Sequence, residues 1–265
     1  MQLTFAYRET WLHRVNPGVK LILAIVMFIV VVLTHNLNTM IYLTIGALLP
    51  LTLFSGHPLK RLLLYASPFL LIFLSSSAGM MMFGNGDTLW YRLGFIRITE
   101  ESFYRGLHLG FRGLQVASVG LLFSLTTRPV ALFYAMMQQW NIAPKYAYSF
   151  LAALRMVPVI LEEFQTLRHA LKVRGKKKRS VFTGWYITLR MYAIPLLAQS
   201  IRHAHRTAVA MEAKRFSMQR QRTYYYRISY SAWDLGYILY FALVLYLANW
   251  LGTTWPLLLD AMDVR

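Results

Sequence analysis

The chain contains no cysteine, which excludes disulfides, thiolate nucleophiles and metal–thiolate sites. Acidic residues are also scarce: ten Asp and Glu stand against 28 Lys and Arg in 265 residues, a formal charge of +18. The glycine-rich GxxxxGK[ST] loop that cradles nucleotide phosphates is missing. Gly175-Lys176-Lys177 has neither the upstream glycine nor the following hydroxyl residue. The chain is therefore not expected to hydrolyse ATP by itself. His13, His35, His57, His108 and His169 are scattered singly, and His203 and His205 diverge on a helix, so no metal site is expected. No catalytic or cofactor-binding constellation can be read, and a lipid-modifying membrane enzyme would need one inside a span.

What is present is apolar. Hydrophobic residues make up 57% of the chain and charged residues 14%, a balance that points to a membrane-embedded protein. The basic excess is local. Between Arg128 and Arg227 lie 18 basic residues and three acids, Glu162, Glu163 and Glu212, a net charge of +15. Lys and Arg near membrane spans resist translocation, so such a segment is expected on the cytoplasmic side. A nucleic-acid partner is not expected, because long apolar runs have no place in a soluble nucleic-acid binder.

A helical span needs about 20 apolar residues. Five segments qualify, near Val19 to Thr34, Asn38 to Phe54, Arg61 to Phe83, Gly106 to Thr127, and Trp233 to Trp250 or beyond. The opening, with Glu9, Trp11 and Pro17, lacks a signal-peptide cleavage pattern, so the first run is expected to remain as a span. Arg8, Arg14 and Lys20 before the first span and Lys60 and Arg61 after the second place the N-terminus in the cytoplasm. The mixed loop of Asp87, Arg92, Arg97, Glu100 and Glu101, with Asp260 and Asp263 at the far end, suits the outer side, and Trp90, Tyr91, Trp250 and Trp255 suit interfacial belts. Gly106, Gly110, Gly113, Ala117 and Gly120 line one face of the fourth span. Another helix can approach there, either from this chain or from a second membrane protein. Arg112 is expected to snorkel from the outer end of that span. Ser75, Ser76 and Ser77 in the third span are expected to bond their own helix backbone.

The basic segment carries helical periodicity. Leu154, Val157, Leu161, Phe164, Leu167 and Leu171 recur at spacings of three and four, as do Ile194, Leu197, Ile201, Ala204, Ala208 and Met211. Two long amphipathic helices follow, each expected to begin beside a proline, Pro158 or Pro195, and to end in a basic cluster. One of Glu162 and Glu163 is expected to pair with Arg155 or Arg168. The run Lys176-Lys177-Lys178-Arg179 suits attraction to anionic lipid. The fold class is thus an all-α membrane protein with about five spans and a cytoplasmic domain of long amphipathic helices. The expected divisions are 1–127, 128–230 and 231–265.

Tyr7 to Leu21, with His13, Pro17 and Lys20-Leu21, resembles the opening of the T component of energy-coupling factor (ECF) transporters. Arg155, Pro158, Glu162, Glu163, Ala170 and Arg174-Gly175 resemble the family's first coupling helix, which ends Ala-Arg-Gly; Val173 replaces that alanine. Ala208, Ala210, Met211, Glu212, Ala213 and Phe216 resemble the second, which typically ends Met-Glu-Ala-Arg-Gly-Phe. Here Lys214 stands in the arginine's place and Arg215 in the glycine's. The chain looks closest to the subgroup associated with thiamine or hydroxymethylpyrimidine uptake.

The resemblance implies a coupling subunit in the bacterial cell membrane that joins two ABC ATPases, separate or fused, to a small substrate-binding membrane subunit for a vitamin or micronutrient. ATP would be bound by the ATPases, and this chain would hold no cofactor. Arg174, Gly175 and Lys214 or Arg215 would contact the ATPases. Leu154, Val157, Leu161, Phe164, Leu171, Ile194, Leu197, Ile201, Ala208 and Met211 would pack the coupling helices against each other or against the substrate-binding subunit. The permease of an ordinary ABC importer is the alternative; it would have one coupling helix rather than two.

Overall fold

Short polar caps decide where each apolar helix begins. The computed structural model describes residues 9–84, 86, 88–93, 96–175, 181–216 and 224–258. The run Lys176 to Arg179, together with Tyr7, Arg8, Asp87, Asp260 and Asp263, lies outside them. Helix α1 (Trp11–Arg14) is a single turn. Asn16 then caps α2 (Pro17–Leu33), its side chain accepting from the Gly18 N–H at 2.9 Å, while Pro17 supplies a preset first turn without a wasted donor. Asn36 does the same for α3 (Leu37–Phe54), and Pro58 precedes α4 (Leu59–Phe83). A two-stranded hairpin, β1 (Leu89–Leu93) and β2 (Ile96–Thr99), follows α4. Thr99 and Ser102 cap α5 (Glu100–Thr126) reciprocally, and Glu100 and Glu101 favour its positive end. The last apolar helix is α9 (Ala232–Thr254).

Among the described residues, α3, α4, α5 and α9 are long and apolar enough to span a bilayer. Helix α2 is apolar too, but has 17 residues, about 25 Å of rise and the lower edge of spanning length. The observed α5 starts six residues before the segment read from hydropathy, because its first two turns are polar and capped rather than apolar.

The chain divides into two compact units, Met1–Ala135 with Ile228–Arg265, and Met136–Arg227. In the first, α5 packs against α2, α3 and α4, and α9 packs against α3. The core joins Leu12, Met27, Leu43, Leu51, Leu122 and Phe241. Glycines set the close approaches. A Cβ on Gly106 would meet the Ser77 carbonyl oxygen at 2.8 Å, and one on Gly110 would meet the Phe73 ring at 2.9 Å, so α4 lies directly on α5 there. Gly113 and Gly120 face open space, and Ala117 is buried, so the small-residue face is only partly used within the chain. Arg112 does not merely snorkel. Its guanidinium donates to the carbonyl oxygens of Val32 at 3.1 Å and Thr34 at 3.3 Å, closing the C-terminal end of α2.

Buried polar contacts join the chain's ends. One Asp234 carboxylate oxygen accepts the Asn16 N–H at 2.7 Å and the other the Ser231 N–H at 2.8 Å, fixing the start of α9 against the start of α2. Helix α6 (Pro129–Gln139) leads into the second unit, which is built from α7 (Pro144–Val173) and α8 (Val181–Ala213). Pro158 and Pro195 lie well inside these helices rather than at their starts. Each helix begins some 14 residues earlier because the apolar periodicity survives the single backbone donor that a proline removes.

Candidate interaction surface on the paired helices

Helices α7 and α8 run antiparallel, joined by aromatic and polar contacts. Tyr148 and Phe216 pack edge to face with centroids 5.4 Å apart, and Phe164 and Tyr192 lie 5.2 Å apart near the other end. Between them the Glu163 carboxylate contacts His203 Nε2 at 2.7 Å, with both side chains largely buried. Glu163 therefore pairs across the helices, and not with Arg155 or Arg168 of its own helix. Sequence spacing describes one helix at a time and carries no signal for that partner.

Between the Tyr148 contact and the Glu163–His203 contact the helices leave an apolar groove of about 580 Å³. Small residues make the room: Ala152, Ala153, Ala204 and Ala208 line it, with Met156 and Met211. Of the residues expected to pack, Phe164, Ala208 and Met211 thus touch the facing helix or the groove, and Leu154 and Leu171 are half-buried. Val157, Leu161, Ile194, Leu197 and Ile201 are not covered. Leu161 is 56% exposed, Leu197 66% and Ile201 63%. The same helix pair also carries Arg155, Arg168, Arg202 and Arg206, so exposed apolar and cationic side chains occur together on it.

The two helices stop in the same way. At the end of α7, Arg174 takes the C-cap position and its N–H donates to the Ala170 carbonyl at 3.1 Å; Gly175 follows at φ +66° and donates to Lys172 at 3.1 Å. At the end of α8, Lys214 donates to Ala210 at 3.2 Å, Arg215 follows at φ +54° and donates to Glu212 at 2.8 Å, and Phe216 donates to Met211 at 2.9 Å. The second pattern is a Schellman closure, and the first shares its 5→2 bond, from Gly175 to Lys172. Backbone geometry thus equates Lys214 with Arg174 and Arg215 with Gly175. The φ > 0 position explains glycine after Arg174; Arg215 occupies it against its own steric preference. All four residues are exposed, as is Val173 at 88%. Cationic side chains at these ends are favoured by the unsatisfied carbonyls of the last turn.

Among the described residues no group of three His, Asp or Glu is placed to hold a metal ion. The surface can present charge and apolar area to partners, and it shows no arrangement for bond chemistry.

Known proteins bear on this arrangement. The chain is 28% identical over 243 residues to the energy-coupling factor transporter transmembrane protein EcfT of Streptococcus thermophilus, covering 85% of this chain and 88% of that one. It is 26% identical to the EcfT of Listeria innocua, over 92% and 94% of the two chains. The Bacillus subtilis EcfT is 25% identical, over 85% and 88%. Residues 8–225, which include the paired helices and both of their cationic ends, match the family described as cobalt transport protein, CbiQ, and the chain belongs to that family.

Proposed function

We propose that this chain is the transmembrane coupling subunit of an energy-coupling factor importer, transmitting ATP-driven motion of cytoplasmic ATPases to a substrate-binding membrane subunit. It is not itself an enzyme. The observation that carries the reading is the repeated helix end: two exposed cationic C-caps, Arg174 and Lys214, on two helices that pack against each other. Two equivalent anchors suit two ATPase sites, each anchor placing a cation against acidic groups in a groove. Lys214, by its backbone position, is the second anchor, and Arg215 flanks it. The uncovered apolar stripe of Leu161, Leu197 and Ile201 then serves the substrate-binding subunit.

We place the N-terminus and the paired helices in the cytoplasm, on the strength of the +15 charge between Arg128 and Arg227. We further assign the chain to the thiamine or hydroxymethylpyrimidine subgroup, which the whole sequence, including the opening from Tyr7 to Lys20, resembles. Purification of the tagged chain from its native membrane tests the whole reading. An ABC ATPase, as one or two proteins, and one small hydrophobic protein are expected to co-purify, and the complex is expected to transport labelled hydroxymethylpyrimidine or thiamine. Co-purification of an extracellular binding protein instead would mark an ordinary permease. A cysteine at Arg168 is expected to react only with membrane-permeant reagents, and labelling by an impermeant reagent in intact cells would overturn the orientation.

A further inference from the structure

Among the described residues, Lys20 is the largest fully buried side chain, at 1% exposure. Its ammonium donates to the Thr126 carbonyl oxygen at 2.9 Å and the Thr126 hydroxyl at 3.2 Å, both neutral acceptors. No carboxylate among the described residues lies within ion-pair distance of it. Asp234, the nearby acid, has its two oxygens engaged by backbone N–H groups of Asn16 and Ser231. Burying a cation against neutral acceptors, with the Asp234 carboxylate near but not bonded to it, leaves part of its desolvation cost uncompensated. The fold tolerates such a residue more easily when an anion approaches it.

A cavity of about 240 Å³ lies beside Lys20, walled by Glu9, His13, Arg14, Thr127 and Arg128. Glu9 contacts Arg128 at 2.7 Å at the exposed rim and offsets one of the three cations. The Thr10 backbone N–H donates to His13 Nδ1 at 3.2 Å. Burial first, and then the nearby Lys20, hold the His13 pKa below its ordinary value, which favours the neutral ring. The Thr127 hydroxyl oxygen is buried and has no partner among the described residues. The walls thus hold a net charge of about +2 with a hydroxyl donor among them. We propose that this cavity binds a phosphate group, supplied by an anionic lipid headgroup or by free phosphate, with Arg14 and Lys20 as its charge partners and Thr127 as a hydrogen-bond donor. The inference does not rest on the coupling role.

The test is thermal unfolding of the full chain in neutral detergent, alone, with phosphatidylglycerol, with phosphatidylcholine, and with inorganic phosphate. Phosphatidylglycerol is expected to raise Tm by roughly 5 °C at saturation, and phosphatidylcholine much less. Arg14→Gln and Thr127→Val are expected to lose most of that rise, while Arg168→Gln on α7 keeps it. A matching rise with inorganic phosphate alone identifies free phosphate as the source; a rise with the lipid only identifies the headgroup. Lys20→Met adds a second reading, since it is expected to be as stable as the wild type or more so without anion and to show no response to it. The proposal is overturned if neither phosphate source raises Tm, or if Arg14→Gln and Thr127→Val respond as the wild type does.

Discussion

The membrane unit and the paired-helix unit bury their apolar residues very differently. In the first, Leu12, Leu122 and Phe241 are essentially inaccessible, and glycines bring α4 onto α5. Ala147 is the sole buried residue of α7, and Leu161, Leu197 and Ile201 remain exposed. Both units expose apolar side chains, but with different neighbours. Leu63, Leu64 and Leu71 of α4 stand on a helix whose charges are confined to its first turn, which suits lipid. The exposed residues of α7 and α8 are interleaved with Arg and Glu, which suits a protein partner. The first pattern suits the bilayer, and the proposed coupling role assigns the second to partner chains.

The largest expected effect breaks the membrane side of this comparison. Gly106→Leu should destabilise the chain by up to about 3 kcal/mol, because the added side chain meets the Ser77 backbone as well as the Met81 side chain. Gly113→Leu, which meets open space, should leave thermal unfolding in detergent nearly unchanged. Equal losses at both positions would show that α5 is packed on all sides.

The helix ends come next. Arg174→Ala and Lys214→Ala should each weaken ATPase assembly by about 2 kcal/mol without changing membrane insertion. Arg215→Ala should cost much less. Lys176→Ala, in the neighbouring basic run, controls for a general effect of charge on lipid. Pull-down titration with the partner ATPases reads all four, and an Arg215→Ala loss equal to that of Lys214→Ala would break the equivalence of the two C-caps.

Leu161→Ser and Leu197→Ser sharpen the contrast between the units. Because these side chains are already exposed, unfolding of the isolated chain should move by less than about 0.5 kcal/mol. Capture of the substrate-binding subunit should fall by several-fold. A large loss of stability instead would mean that the stripe is packed within the chain.

The most local effect is at Arg215. Replacing it with glycine should stabilise the end of α8 by about 1 kcal/mol, since its φ of +54° is a conformation glycine adopts without steric cost. Gly175→Ala should cost a similar amount at the equivalent position of α7. Hydrogen exchange of the last helical turns reads both.

The apolar runs, the caps at Asn16, Asn36 and Thr99, and the position of charge along the chain belong to sequence alone. They follow from local rules: span length, capping chemistry and the cost of moving cations across a bilayer. The spans were legible for that reason, as were the basic ends of α7 and α8. The starts of those two helices were not, because Pro158 and Pro195 read as breaks until neighbouring turns are seen to continue through them. Tertiary structure alone decided that Glu163 meets His203, that Arg112 closes α2, and that Lys20 lies buried beside a cationic cavity. Each joins residues at least 40 positions apart, and no local spacing encodes which distant group will satisfy a buried charge.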